Sequence, residues 1–220
     1  MNLFPAQPFD LDSIMKIERQ AFIPPIQEKK RVFEKRLRIF PNGFVILSDA
    51  SEKVVKENLG ALTCGYICTE IWESFPDKNL DEKAFSRRFA LGHNIKHTHF
   101  ENGACLYVSS FALLQTYRGK GLGRAFFCAA LGAILGAYPA IKSVALLASS
   151  EWKNALSIYE SLHFEKVRTI PDFFSTLQKK IRADGIVFFS SARDFQKIEF
   201  PTDSKNEFSG IKINAGDFFL

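Results

Sequence analysis

A mixed α/β (α+β) fold is predicted by three features of this sequence. The first is a glycine-rich turn, Arg118-Gly119-Lys120-Gly121-Leu122-Gly123-Arg124, set between a strand-like apolar run, Cys105 to Leu114, and a helix-like run of small residues, Arg124 to Ala137. The second is a short apolar run, Ser143 to Ala148, followed by a segment with Ala155, Ile158, Tyr159 and Leu162 at helical spacing. The third is an opening that reads helix, helix, hairpin. With 220 residues and 46% hydrophobic content, the chain can bury one sizeable core, so a single domain spanning 1–220 is expected.

Asp12 to Phe22 reads as the first helix, with Asp10 or Asp12 as N-cap, apolar Ile14, Ile17 and Ala21 on one face, and Pro24-Pro25 as its stop. A second helix runs from about Gln27 to Phe40 and is closed by Pro41-Asn42-Gly43. Phe44 to Ser48 and Leu59 to Thr69 read as strands joined by a charged turn around Ser51 to Asn58. Glu70 to Gly103 is polar and broken by Pro76, with a helix from Leu80 to Leu91; as an insertion at about 70–104 it is placed either to cover an acceptor pocket or to pack at the surface. Beyond a core at about 11–170, the extension at 171–220 reads as a helix from Pro171 to Arg182, a strand from Gly185 to Ser190 and a polar tail.

A strand, a glycine turn and a helix N-terminus together form an anion site. The glycines let backbone approach a ligand, and the free N–H groups of the first helical turn, reinforced by the macrodipole, point at a negative group. A P-loop would need Ser or Thr after Gly119-Lys120, where Gly121 stands. A dinucleotide fingerprint starting at Gly119 and Gly121 would need a third glycine where Arg124 stands. Both readings fail. The pattern R-x-x-G-x-G, with Arg118, Gly121 and Gly123, remains.

That pattern resembles the pyrophosphate-binding signature of the GNAT acetyltransferase superfamily. Upstream, Phe111-Ala112-Leu113-Leu114-Gln115-Thr116-Tyr117 resembles the family's lead-in strand; downstream, Asn154-Ala155-Leu156-Ser157-Ile158-Tyr159-Glu160-Ser161-Leu162-His163-Phe164 resembles its Asn…Tyr…Phe segment. The resemblance covers residues 11 to 170 in outline and is sharp from about 105 to 168. It implies a GNAT-type, mostly antiparallel central sheet flanked by helices, with splayed central strands. It implies acetyl-CoA as cosubstrate, held by Phe111, Ala112, Leu113, Arg118, Gly119, Lys120, Gly121, Leu122, Gly123, Arg124, Asn154 and Tyr159, with no metal.

Transfer of acetyl to an amine needs a neutral amine, a polarised thioester carbonyl and a proton for the thiolate. By the resemblance, Tyr159 is the acid, and backbone N–H groups near Phe111 to Leu113 polarise the carbonyl. A phenol with a reference pKa of about 10 keeps its proton at neutral pH. Ile17-Glu18-Arg19-Gln20-Ala21-Phe22 and the strand into the glycine turn most resemble arylalkylamine N-acetyltransferases, whose strand carries two histidines that remove the amine proton. Tyr107 and Ser109 stand in their places. Either a water chain ordered by Tyr107, Ser109 and Ser110 replaces the histidines, or His97, His99 or Glu101 from the insertion does.

Other residues exclude or leave open further chemistry. His93, His97 and His99 form an H-x-x-x-H-x-H cluster without a carboxylate or cysteine at a metal-site spacing, so loop or acceptor-pocket lining is expected over a metal site. Glu70, Trp72 and Glu73 are placed where carboxylates would suit a cationic amine, or form an ordinary strand end. Cys64, Cys68, Cys105 and Cys128 read as buried thiols. The net charge of +5 owes much to Lys29, Lys30, Arg31, Lys35, Arg36 and Arg38, which form a solvated helix face or a rim attracting anions; the basic field is too small for nucleic acid. No apolar stretch reaches the roughly 18 residues of a membrane span and no signal peptide opens the chain, so a cytoplasmic protein is expected. The expected partners are acetyl-CoA and a small-molecule primary amine, with neither nucleic acid nor membrane, and a homodimer is compatible. A protein N-terminal or lysine acetyltransferase is the alternative, and an acyl-CoA-binding regulatory module is another, favoured by the missing histidines and opposed by Tyr159.

Overall fold

A computed structural model describes residues 1–49, 63–77, 79–175, 182–196 and 212–213. Its strands are β1 (Asn2–Pro5), β2 (Phe44–Ser48), β3 (Thr63–Trp72), β4 (Cys105–Leu113), β5 (Ser143–Ser149), β6 (Glu165–Ile170), β7 (Gly185–Ser191) and β8 (Lys212–Ile213). They form one sheet in the order β6-β7-β5-β4-β3-β2-β1-β8, antiparallel except for the β4–β5 and β1–β8 pairs. The helices are α1 (Leu11–Ala21), α2 (Lys30–Ile39), α3 (Glu82–Arg88), α4 (Leu122–Ala137), α5 (Lys153–Ser161) and α6 (Ala192–Gln196).

Helices cover both faces of the sheet, which is why β2 and β3 are buried along their whole length. On one face, Ile67, Leu106, Val108 and Leu146 meet Phe126, Phe127 and Leu131 of α4 and Tyr159 of α5. The other face is divided. Tyr66, Phe44 and Ile46 meet Ile14, Ile17, Phe33 and Leu37 of α1 and α2, whereas Trp72, Tyr107 and Val187 meet Phe85 and Phe89 of the α3 segment.

Several boundaries differ from those the sequence predicts. Helix α2 starts at Lys30, because Pro24 to Ile26 form a separate 3₁₀ turn. Helix α3 is confined to Glu82–Arg88, capped by Asp81, whose carboxylate accepts from Ala84 N at 2.8 Å; Gly92 turns the chain with φ +67° soon afterwards. Strand β3 continues through Glu70 to Trp72, because these residues pair with Cys105 to Tyr107 of β4. Asp10 stands before α1, but its carboxylate accepts from Gln7 N at 2.8 Å rather than from the helix. Pro171 to Phe174 form a turn instead of starting a helix, with Asp172 at φ +53°. Ser175 and Arg182 are not helical either; residues 176–181 of the helix predicted over 171–182, the turn predicted over 51–58, the start of the strand predicted from Leu59 and most of the polar tail lie outside the described residues.

The feature that positions the site is a fork. β4 and β5 pair only from Cys105/Ser143 to Val108/Leu146; beyond this, β5 continues alongside β7 while β4 follows β3. A bulge starts the divergence. Cys68 faces Ser110 and Thr69 faces Val108, so Ser109 is an extra residue on β4, pinned by its Oγ donating to Cys68 O at 2.9 Å. The bulge also reverses the alternation, so that Val108 and Leu113 share the α4 face.

Candidate active site

The fork opens into a cavity of about 580 Å³ whose lining runs from the glycine turn to α1. At one end, Gly119 and Gly121 have φ of +77° and +76°, which residues with a Cβ avoid. Gly121 is the N-cap of α4, and Gly121, Gly123 and Arg124 belong to the cavity lining, so the helix opens with its N-terminal turn at the cavity. A Cβ on Gly123 would lie 3.2 Å from Ile158, so this glycine lets α4 and α5 close together. Arg118 donates from Nε to Leu113 O at 2.9 Å, which fixes the turn against the end of β4.

Of the residues predicted to hold the cosubstrate, Phe111, Ala112, Leu113, Arg118, Gly119, Gly121, Gly123, Arg124, Asn154 and Tyr159 line this cavity. Leu122 is buried in the core, and Lys120 is exposed outside the lining. Tyr159 is packed against Phe127, Phe164 and Phe188. Burial pushes its phenol above the ordinary range, so it carries a proton at neutral pH.

Tyr107 and Ser109 also line the cavity. Tyr107 stacks on Trp72 at 4.1 Å between centroids, and burial, then the charge of Glu70, raises its pKa; it holds its proton and is no base. The three histidines separate. His93 contacts Glu70 Oε1 and Ala90 O, His99 accepts from Ile71 N, and His97 is exposed. Glu70 and Trp72 are fully buried and bonded to one another, with Glu70 also held by Thr98. They do not reach the cavity, because β3 carries them past it.

The group that sequence reasoning missed is Glu18. On α1 it lies at the apolar face, 1% exposed, at the far end of the cavity from the glycine turn. Its Oε1 accepts from Glu28 N at 2.7 Å, and its Oε2 accepts from the Tyr66 hydroxyl, which in turn contacts Ser110 Oγ at 2.8 Å. Burial raises its pKa from 4.5 to about 7; the hydrogen bonds from Tyr66 and Glu28 oppose this and the Glu28 charge adds to it. A carboxylate that titrates near neutrality inside a cleft can take a proton at physiological pH. The one signal in the sequence was a glutamate on the apolar side of α1, between Ile17 and Ala21.

Around Glu18, Phe22, Ile26, Glu28 and Leu91 complete the lining. Glu28 receives Gly92 N on its carboxylate at 2.9 Å, tying the segment after α3 to the α1–α2 connection, with Arg36 behind at 3.8 Å. The segment predicted as an insertion thus reaches the cavity through Leu91.

No family model matches this chain, and no curated protein matches it. Solved structures do. The GphF GNAT-like decarboxylase in complex with isobutyryl-CoA superposes with a TM-score of 0.63 at 15% identity, over 86% of this chain and 98% of that one. The loading GNATL domain of CurA from Lyngbya majuscula gives 0.64 at 13% identity, over 89% and 98%. The ribosomal-protein-S18-alanine N-acetyltransferase from Escherichia coli gives 0.54 at 15% identity, over 86% and 92%. The chain has the GNAT fold.

Proposed function

We propose that this protein is an acyl-CoA-dependent N-acetyltransferase that passes acetyl from acetyl-CoA directly to a primary amine of a small molecule. The observation that carries the reading is one cavity joining a helix N-terminus, the stretch of β4 that has parted from β5, a protonated tyrosine and a carboxylate titrating near pH 7. The turn from Gly119 to Arg124 suits the pyrophosphate, and the stretch of β4 that has left β5 offers backbone groups to the pantetheine arm and the thioester carbonyl. The isobutyryl-CoA bound by one GNAT-fold neighbour supports a CoA thioester as donor.

The amine arrives as an ammonium and loses a proton that ends on Glu18. Its lone pair then forms a C–N bond to the thioester carbonyl carbon, and the C=O π pair moves to oxygen. Collapse of this adduct breaks C–S with the pair on sulfur, and Tyr159 donates its proton to that sulfur. The Tyr159 phenolate regains a proton from the new amide nitrogen, so Tyr159 ends unchanged and one proton leaves through Glu18.

Glu18 and Glu28 at the acceptor end favour a cation and repel a carboxylate. That argues against decarboxylation, the activity in the name of one neighbour. Phe22, Ile26 and Leu91 add apolar walls at the same end, which suit the carbon skeleton of a small amine. The test is CoA thiol release from acetyl-CoA with a panel of monoamines, polyamines, amino sugars, amino acids and peptides. Release with small amines and not with peptides is expected; release with peptides alone would transfer the assignment to protein acetylation, and binding without release would make the chain a CoA-binding module.

A further inference from the structure

Glu18 is set back from the cavity. Both of its oxygens are turned toward protein donors, Glu28 N and the Tyr66 hydroxyl, and only 1% of the residue is exposed. Ser110, half-buried on β4 just after the bulge, stands in the cavity wall in front of it, whereas Tyr66 is wholly enclosed between them. The direction of each hydrogen bond follows from counting protons. A phenol has one hydrogen, and when Glu18 is ionised that hydrogen lies on the Glu18 side. Tyr66 can then only accept from Ser110, so the Ser110 hydroxyl hydrogen points inward and its free lone pair faces the cavity.

Resting on the reading of Glu18 as the final proton acceptor, we propose that Ser110 and Tyr66 form a relay carrying the amine proton to it, with Ser110 Oγ as the catalytic atom that touches the amine. The step balances. The ammonium N–H bond breaks with its electron pair left on nitrogen, and a new O–H bond forms at Ser110. Ser110's original hydrogen passes to Tyr66, and Tyr66's passes to Glu18 Oε2. The three hydrogen bonds are then reversed, with a neutral Glu18 donating to Tyr66. Other titratable groups face the relay: Glu28 and Arg36 from the α1–α2 side and Cys68 from β3. Burial pushes the Cys68 thiol up to about 11, so it stays neutral through the working range. The bulge gives the relay its place, because in a regular strand Ser110 would share the face of Val108, whereas the extra residue Ser109 sets it opposite Cys68, on the face of Tyr66.

The relay is tested with Ser110→Ala, Ser110→Thr, Tyr66→Phe and Glu18→Gln in the full chain, assayed by CoA thiol release with the best amine. Ser110→Ala is expected to lower kcat about a hundredfold, the lower range for removing a positioned proton carrier, with acetyl-CoA affinity unchanged. Ser110→Thr keeps the Oγ and is expected to restore most of the rate. In mixed H₂O/D₂O the native enzyme is expected to give a curved dependence of kcat on deuterium fraction, reporting several protons in flight, and Ser110→Ala a linear one. Near-native kcat in both Ser110→Ala and Tyr66→Phe, with Glu18→Gln inactive, would overturn the relay and leave Glu18 as a base acting directly. Native activity in Glu18→Gln would overturn the base itself.

Discussion

Tyr66 on β3 hydrogen-bonds through its hydroxyl to Glu18 Oε2 on α1, across 48 positions of sequence. The contact joins the first helix to the central sheet beneath the fork. It also places a carboxylate with a pKa of about 7 at the end of the cavity where the amine would react.

The pH profile follows from that value. The ionised form of Glu18 accepts the proton, so kcat/KM for a saturating donor is expected to rise with pH through about 7 and then level off. A limb near the ordinary carboxylate range, about 4.3, would show that Glu18 is not the group titrating.

Stability is expected to move in the opposite direction. The folded-state pKa of Glu18 is raised, so its contribution is fully present below about 4.5 and is lost as pH climbs through about 7, where burial of the charge costs energy. Glu18→Gln cannot ionise. Relative to the native chain it is expected to gain about 3 kcal/mol between pH 4 and pH 8, read from urea melts at each pH. A stability difference that does not change with pH would contradict the burial argument.

The glycine turn is probed by Gly121→Val. A β-branched residue at φ +76° is strained by roughly 1–2 kcal/mol, and the turn relaxes away from the geometry that presents the α4 N–H groups. Acetyl-CoA is expected to bind about tenfold more weakly by titration calorimetry. An unchanged Kd would remove the turn from the donor site.

Tyr159→Phe leaves the ring packing against Phe127 and Phe188 in place and removes only the acid. A kcat lower by about a hundredfold with acetyl-CoA affinity within about threefold is expected. Equal losses in both would make Tyr159 a binding residue.

The glycine turn, the strand before it and the two helices after it were legible because each has a local signature: φ-permissive glycines, an apolar run, and small residues at helical spacing. Strands β1 and β6 were not. β1 has four residues, too few to show alternation, and β6, Glu-Lys-Val-Arg-Thr-Ile, is a polar edge strand supported by β7 on one side only. Glu70 and Trp72 read equally as acceptor contacts or as a strand end, because pairing length does not show in sequence; β4 extends the strand and buries them. Glu18 escaped for a different reason. Its role depends on Tyr66, Glu28 and Ser110 converging from three separate stretches of chain, and the Ser109 bulge that aims Ser110 is a property of the β3–β4 register.

Amide hydrogen exchange with and without acetyl-CoA tests the central claim most directly. Protection concentrated in residues 111–124, at the end of β4 and the start of α4, is predicted. Binding without protection there, or no binding at millimolar acetyl-CoA, would contradict the assignment of this cavity to an acyl-CoA donor.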